Sequence, residues 1–269
     1  TEKVRLLNYR YKSTLVLYSL GTHRDYHHGY MVPSTGYLQF FDLQAVGDGF
    51  VLRFPRRKSP KSLQPMPDYP KLLTAFRQYG NWLQRLGIES VGYLDEAIEQ
   101  KRISDTILVS EALHELQIID ISQQIAERSE EARIILIAGP SSSGKTTFSK
   151  RLSVQLLAQG FSPFPLEMDN YFVNREDTPR DANGNYDFES LGAMDTHLLS
   201  DHLKRLVNGE TVRIPKYDFR TGMRGEGDEV KLRRDQMIIL EGIHGLNPGL
   251  LPDIDPSSTY KIYASCLTQ

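Results

Sequence analysis

The chain has 269 residues, of which 39% are hydrophobic and 25% charged, so it can bury a packed core and is not disordered as a whole. Its formal net charge of -2 gives no global reason to expect nucleic acid or an anionic membrane as a partner. No apolar run approaches the roughly 18 residues of a membrane span, and no signal-peptide core opens the chain. The single cysteine, Cys266, excludes an internal disulfide. We therefore expect a cytoplasmic protein of one large or two ordinary domains.

The first half predicts a small α+β domain followed by helices. Residues 1–65 form a β-rich module, with strands predicted at 15–18, 37–41 and 50–52 between glycine turns. Residues 55–70 contain five prolines and a basic cluster, which favours an exposed connector. Residues 66–131 are helical in pattern and complete or link the N-terminal module. Helices are predicted near residues 72–86, 94–102 and 110–128.

From residue 132 to 269 the pattern changes to an alternation of strands and helices. Strands are predicted at 134–137, 164–168, 237–240 and 260–264, and helices at 147–159 and 196–207. The first of these helices has Phe148, Leu152, Leu156 and Leu157 along one side. This alternation predicts an α/β fold, a parallel sheet with helices on both faces.

A complete P-loop, or Walker A motif, lies between the first strand and the first helix of this region. It reads Gly139-x-x-x-x-Gly144-Lys145-Thr146. The glycines let backbone N–H groups turn toward phosphate oxygens, the lysine reaches the β- and γ-phosphates, and the threonine hydroxyl can ligate Mg²⁺. The fold class is therefore that of a P-loop NTPase. The candidate nucleotide-binding residues are Gly139, Ser141, Ser142, Ser143, Gly144, Lys145, Thr146 and Thr147.

Two carboxylates follow later strands of the predicted sheet. Asp169 comes at the end of the second strand, and ligands of open α/β sheets bind outside the carboxyl ends of strands. It can accept a proton from an attacking hydroxyl, or it can cap a turn. Glu241 ends an apolar strand and resembles a Walker B acid aimed at Mg²⁺. Asp195 is more typical of a helix N-cap, and His244 of a loop.

Two further segments contain aromatic residues interleaved with polar ones. In residues 186–195, Asp187 or Glu189 could hydrogen-bond sugar hydroxyls. In residues 215–224, the alternating aromatic residues suit a flat base or a sugar face, although the same alternation is ordinary for an edge strand.

Taken in order, the P-loop, Met-Asp-Asn-Tyr-Phe, Tyr-Asp-Phe-Glu, Pro-x-Tyr-Asp-Phe and Glu-Gly-Ile motifs resemble those of the uridine kinase and phosphoribulokinase family of P-loop kinases. The resemblance covers residues 133–269. It implies Mg²⁺-assisted phosphorylation of a hydroxyl of a nucleoside or related small molecule, with ATP or GTP as donor. By this resemblance Asp169 is the catalytic base, and Thr146 and Glu241 hold the metal. Lys145 is the second candidate catalytic residue, because the P-loop places it at the β- and γ-phosphates. The substrate-binding residues would be Tyr171, Glu189, Tyr217, Phe219 and Arg224.

The chain departs from the family in two places. The family's substrate motif usually continues Thr-His-Ser-Arg, and its histidine helps to read a pyrimidine, whereas this chain has Thr221-Gly222-Met223-Arg224. Uridine or cytidine as substrate is therefore in doubt. Family members also continue past the strand at 260–264 with an arginine-bearing lid, whereas this chain ends at Gln269. We therefore expect weak or no turnover from this fragment unless further chain follows.

The N-terminal module resembles, more loosely, the module that precedes a uridine-kinase-like domain in some long bacterial kinases, and through it the editing-associated region of threonyl-tRNA synthetase. Residues 29–37, residues 52–55 and the pair His23 and His27 carry this resemblance. The alternative function is a nucleotide-binding switch or an RNA-associated module, to which the basic residues 56–58 give slight support. The pair His23 and His27 could bind Zn²⁺ from one helical face, but its setting favours a surface loop. A homo-oligomer is compatible with the sequence, which does not determine the oligomeric state.

Overall fold

The computed structural model of the protein describes residues 2–27, 29–47, 49–66 and 68–265. The chain divides into two compact units, Thr1–Thr106 and Ile107–Gln269. The domain boundaries that we predicted at residues 65 and 131 stay a prediction. Cys266, which the sequence pattern places beside the last strand, lies outside the described residues.

The first unit contains short strands and three helices, and the third predicted helix begins at its end. The elements are α1 (Glu2–Leu7), β1 (Tyr18–Leu20), β2 (His23–Asp25), β3 (Asp42–Val46), β4 (Gly49–Arg53), α2 (Pro70–Leu86), α3 (Val91–Glu99) and α4 (Ile103–Glu127). The strands pair as two antiparallel hairpins, β1 with β2 and β3 with β4. α2 starts with proline in its first turn and ends at Gly87, which has a φ of 65°. The predicted helices are thus confirmed, although α4 begins earlier than residue 110.

Two strand predictions in this unit were wrong in position. β1 begins at Tyr18 rather than at residue 15, and Thr35–Tyr37 forms a 3-10 turn where a strand was expected to start. The Ser34 side chain accepts a hydrogen bond from the Gly36 N–H at 3.2 Å. A local bond of this kind competes with an extended chain, and the strand begins only at Asp42.

The second unit is built around a parallel sheet. Its elements after α4 are β5 (Ile134–Ala138), α5 (Lys145–Ala158), β6 (Ser162–Leu166), α6 (Thr196–Val207), β7 (Thr211–Asp218), β8 (Met223–Lys231), β9 (Gln236–Gly242) and β10 (Thr259–Tyr263). The four parallel strands lie in the order β10-β5-β9-β6. All five residues of β5 are buried, as expected for a central parallel strand. The predicted parallel α/β fold is confirmed.

Helices cover both faces of the sheet because side chains alternate along each strand. On one face, alternate residues of β5, β6 and β9 pack against Leu199, Leu203 and Leu206 of α6. On the other face, the intervening residues pack against Leu152 and Leu156 of α5, and against Ile118 and Ile125 of α4. Leu157, which we assigned to the buried side of α5, is instead 57% exposed.

β7 and β8 form a separate antiparallel hairpin. The alternation in residues 215–224 had indicated only that an edge strand was one possibility. A register shift between Arg213 and Pro215 interrupts its pairing. Within the part of the chain that the structure describes, no helix combines the length and apolar character needed to cross a bilayer.

Candidate functional site

The P-loop lies between the carboxyl end of β5 and the first turn of α5. A Cβ at Gly139 would overlap the carbonyl oxygen of Ala264 and lie 2.6 Å from Ser143 Oγ, so only glycine fits there. Gly144 has a φ of 84° and Ser142 a φ of 59°, both left-handed. These conformations wrap the loop around the helix N-terminus, where backbone N–H groups and the helix dipole favour an anion. The predicted nucleotide-binding residues all lie in this loop and first turn.

Two side chains with predicted roles leave the first turn of α5 in different directions. Lys145 Nζ donates a hydrogen bond to the Pro140 carbonyl at 2.8 Å, within the loop itself. Thr146 Oγ1 donates to Glu241 Oε1 at 2.7 Å. A bound phosphate would compete with the Pro140 carbonyl for Lys145. The Thr146 hydroxyl already contacts Glu241, the acid that we predicted to bind the metal.

Glu241 stands beside the loop because β9 is the neighbour of β5, with Glu241 paired in register with Ile137. Its Oε2 atom is buried and has no hydrogen-bond partner among the described residues. A buried carboxylate oxygen without a partner is costly, and a cation would compensate it. Glu241 and the Thr146 hydroxyl are the oxygen ligands that Mg²⁺ prefers. These two residues therefore fit the ion.

The described residues contain no cluster of three or more His, Cys, Asp or Glu side chains arranged to hold a metal. Mg²⁺ in nucleotide sites is usually held by one or two protein groups together with phosphate and water oxygens. His23 lies on strand β2, so the pair with His27 does not share a helical face. His244 Nε2 is buried and has no hydrogen-bond partner among these residues. From the sequence we had interpreted His244 as a loop histidine without a catalytic role.

Asp169 lies in a 3-10 turn that follows β6, at the same edge of the sheet. The side chain keeps access to solvent, but the surrounding protein still raises its pKa above the ordinary value of 3.8. Partial burial is the main cause, and the negative charges of Glu167 and Glu241 add to it. A carboxylate whose pKa is raised accepts a proton more readily, which suits a general base.

An aromatic cluster lies next to this turn. The Phe172 ring centroid is 5.6 Å from that of Tyr217, 6.2 Å from Phe219 and 6.3 Å from Phe188. Phe219 and Phe188 remain exposed, by 60% and 40%, so the cluster presents open ring surface. The structure thus brings Tyr217 and Phe219 together. We had not named Phe172 and Phe188 as site residues, although each is adjacent in sequence to a residue that we did name.

We considered two acids, Asp187 and Glu189, as partners for sugar hydroxyls, and they differ in their contacts within the fold. Asp187 Oδ1 accepts the backbone N–H of Glu189 at 3.1 Å and so shapes the turn. The Glu189 side chain is exposed. Contact of Glu189 with sugar hydroxyls stays a prediction.

Two predicted substrate residues are engaged inside the fold. Tyr171 is fully buried, and a hydrogen bond of 3.1 Å joins its hydroxyl to His202 Nδ1. Burial raises the pKa of this hydroxyl and lowers that of His202, so burial favours the neutral form of each group. Arg224 Nη1 lies 3.0 Å from Asp195 Oδ2, and Asp195 Oδ1 caps α6 through the Leu198 N–H. The N-cap at Asp195 is confirmed. Substrate contact by Tyr171 or Arg224 would require these bonds to open and stays a prediction.

A parallel sheet in the order β10-β5-β9-β6, with a P-loop between β5 and α5, defines an α/β P-loop NTPase fold. Residues 134–249 match the model of the Phosphoribulokinase / Uridine kinase family. These residues lie within the second unit, and the match supports the kinase family for that part of the chain.

Individual relatives agree with the family match. A uridine kinase from Ligilactobacillus salivarius (strain UCC118) is 35% identical over 130 residues, which are 48% of this chain and 60% of that protein. A uridine kinase from Halobacterium salinarum is 33% identical over 118 residues, 44% of this chain and 51% of that protein. The chain therefore spans about half to three fifths of the length of these relatives.

Two other matches each cover about half of the chain. Inorganic pyrophosphatase TTM1 from Arabidopsis thaliana is 31% identical over 140 residues, which are 51% of this chain and 20% of that protein. The structure of a possible uridine kinase from Bacillus stearothermophilus is 26% identical with a TM-score of 0.40, covering 52% of this chain and 80% of the other. The resemblance of residues 1–65 to a threonyl-tRNA synthetase region stays a prediction.

Proposed function

We propose that the second unit is an ATP- or GTP-dependent kinase that phosphorylates a hydroxyl of a nucleoside or related small molecule. The observation that carries this proposal is the common edge of the sheet. This edge carries Lys145 and Thr146 at the start of α5 and Glu241 on β9. Asp169, whose pKa is raised, follows β6, the strand next to β9. A P-loop alone supports nucleotide binding. A carboxylate base beside it, next to an open aromatic surface, supports transfer to an acceptor.

Each residue has a role that follows from its chemistry. The loop N–H groups and Lys145 neutralise charge on the phosphates, while Thr146 and Glu241 would hold Mg²⁺, which when bound neutralises charge on the β- and γ-phosphates. The acceptor hydroxyl oxygen forms a bond to the γ-phosphorus as the bond to the bridging oxygen breaks. Asp169 takes the hydroxyl proton, and the nucleoside diphosphate leaves. Glu189 binds neighbouring hydroxyls, and the exposed rings hold a flat face of the acceptor.

The nucleotide site is tested by calorimetric titration of Mg·ATP and Mg·GTP into wild type, Lys145→Ala and Lys150→Ala. Lys150 is an exposed lysine on the same helix, so its variant removes the same charge away from the loop. A charged hydrogen bond contributes about 1.5–3 kcal/mol, so Lys145→Ala should bind about 10- to 100-fold more weakly and Lys150→Ala like wild type. Equal affinity in all three proteins would refute the nucleotide site.

A second measurement separates a kinase from a protein that binds nucleotide without turnover. ADP or GDP release is followed in the full-length protein with a panel of nucleosides and polyols. Release that depends on one acceptor class supports transfer. Tight nucleotide binding without acceptor-dependent release would favour the switch or RNA-associated module instead.

A further inference from the structure

Asp169, the proposed base, has no side-chain hydrogen bond of its own within the part of the chain that the structure describes. A general base works only within hydrogen-bond reach of the proton that it takes, so its position has to be fixed in another way. The carboxylate is carried by the 3-10 turn Met168–Tyr171, and its position follows from the backbone of that turn. The residues that anchor the turn therefore determine where the base lies.

Met168 anchors the amino end of the turn. Its side chain is buried and packs over Gly242, where an added Cβ would lie 2.7 Å from Met168 Cε. Gly242 is the last residue of β9, the strand that carries Glu241. This contact places the start of the turn beside the predicted metal acid, and the other end of the turn is held by different contacts.

Tyr171 anchors the carboxyl end of the turn to α6 at two points. Its carbonyl accepts the Asp195 N–H at 2.8 Å, and a hydrogen bond of 3.1 Å joins its hydroxyl to His202 Nδ1. Asp195 is the N-cap of α6, and His202 lies seven positions further along the helix, a distance of about 10 Å. A single bond would let the turn pivot, whereas two separated bonds hold its orientation.

The side chains of this pair are enclosed by the core. Tyr171 is fully buried and His202 is 7% exposed, and their rings meet edge to face with centroids 5.7 Å apart. His202 lies among Leu199, Leu203 and Leu206, which pack α6 against the sheet. The pair cannot touch an acceptor while its hydrogen bond is formed. Its effect on a reaction at Asp169 would therefore pass through the turn.

We propose that Tyr171 and His202 are positioning residues, and that their hydrogen bond fixes the turn that carries Asp169. The inference rests on the proposed kinase function, because it needs Asp169 to act as the base. It gives Tyr171 a role different from the substrate contact that the sequence motifs imply. A displacement of about 1 Å in a catalytic group can cost about 100-fold in activity, so a bond remote from the acceptor can control the rate.

The first measurement is the pKa of the Asp169 carboxyl, followed by NMR on the full chain with carbon-13-labelled aspartate and assigned with Asp169→Asn. Partial burial is the main reason that this pKa is raised, so a turn that loosens into solvent should bring it toward 3.8. We expect this fall in Tyr171→Phe, which removes only the hydroxyl. His202 is followed in the same titration, so that its protonation is distinguished from that of Asp169.

The matched control is Tyr260→Phe, which removes a phenolic hydroxyl bonded at 2.8 Å to Gln124 of α4. Tyr260 lies near the start of β10, which runs parallel to β5, so it is at the edge of the sheet opposite the P-loop. Because the same atoms are removed away from the turn, the control should keep the wild-type pKa of Asp169.

A conservative variant tests the hydrogen bond itself. His202→Asn replaces the ring with an amide that can occupy the place of Nδ1 and bond the Tyr171 hydroxyl, but that does not titrate. It should keep the raised pKa of Asp169. If Tyr171→Phe fails to fold in a thermal melt, the double variant Tyr171→Phe/His202→Leu takes its place, because it removes both polar partners and leaves neither buried and unpaired.

The second measurement is acceptor-dependent release of ADP or GDP in the full-length protein. Tyr171→Phe should lower turnover about 10- to 100-fold and leave the affinity for Mg·ATP unchanged, and His202→Asn should keep most of the turnover. A hydrogen bond that only stabilises the fold would change the thermal melt but neither the pKa of Asp169 nor the turnover.

The results separate this inference from the proposed function. If the wild type shows no acceptor-dependent release, the kinase assignment is refuted, and the NMR titration still decides whether the pair holds the turn. A wild-type pKa of Asp169 in Tyr171→Phe would overturn the inference, as would an equal fall in Tyr260→Phe or His202→Asn. Full turnover in Tyr171→Phe would overturn it as well.

Discussion

Gly139→Ala adds one methyl group at the point where the P-loop passes closest to the end of β10. The new carbon would lie 2.6 Å from Ser143 Oγ and 3.1 Å from the Ala264 carbonyl carbon, and would overlap the Ala264 oxygen. Ordinary carbon–oxygen contacts are about 3.3–3.6 Å, so the shortfall is about 0.7 Å at Ser143 and larger at Ala264.

Rotation of a side chain cannot relieve the contact with Ala264, because the obstacle is backbone. The Ala264 N–H donates to the Ala138 carbonyl at 2.7 Å, which ties this segment to β5. Either the loop or the end of β10 must move. Overpacking of this kind costs about 1–3 kcal/mol of unfolding free energy. A displacement of about 1 Å in a catalytic loop can cost about 100-fold in activity, so weaker nucleotide binding is expected too.

The assay combines hydrogen–deuterium exchange of residues 134–138 with calorimetric titration of Mg·ATP. Exchange of β5 reports on the second unit directly, whereas the single tryptophan, Trp82, lies on α2 in the first. Gly225→Ala is the matched control, because its added methyl group would meet only the Lys216 carbonyl, at 3.9 Å. If Gly139→Ala matched Gly225→Ala in both measurements, the loop would not require glycine and our reading of the close approach would be refuted.

Four further predictions concern individual residues. Asp169→Asn should preserve nucleotide binding and lower transfer in the full-length protein by about 10²–10⁴-fold; turnover within threefold of wild type would place the base elsewhere. Folding raises the pKa of Asp169, so the folded state favours the protonated carboxyl. The contribution of this carboxyl to stability is therefore fully present below pH 3.8 and is lost as the pH rises through its pKa in the folded state. Asp169→Asn should therefore stabilise the fold more at pH 7 than at pH 3 in urea titrations, and an equal effect at both would contradict the shift. Uridine and cytidine should give no selective thermal shift, because Gly222 has no side chain that could hydrogen-bond to a pyrimidine base. Leu203→Ala should cost about 2–5 kcal/mol in urea unfolding, because Leu203 is fully buried; a loss below about 1 kcal/mol would place it outside the core.

Features that depend on short stretches of backbone could be predicted from the amino-acid sequence. The P-loop, the helix between Pro70 and Gly87 and the N-cap at Asp195 each follow from residues within a few positions of one another. The strand–helix alternation after residue 132 likewise predicted the parallel sheet and its covered faces. Such features result from local steric limits, capping bonds and the periodicity of apolar residues. They can be predicted without knowledge of distant contacts.

Contacts between residues that are distant in sequence could not be predicted in this way. Thr146 bonds Glu241 across 95 positions because β9, rather than β6, is the neighbour of β5. From the sequence we predicted Tyr171 and Arg224 as substrate-binding residues. In the structure Tyr171 is hydrogen-bonded to His202 of α6, and Arg224 pairs with Asp195, the N-cap of α6.

The contact of Arg175 with Gly222 likewise arises from the fold, because it depends on the 3-10 turn at Arg175–Asp177 lying against the tip of a hairpin 47 positions later. Strand order and the packing of loops on a hairpin are set by the free energy of the whole core, summed over many contacts. No short pattern encodes that sum, so contacts such as the one between Arg175 and Gly222 are set only when the chain is folded.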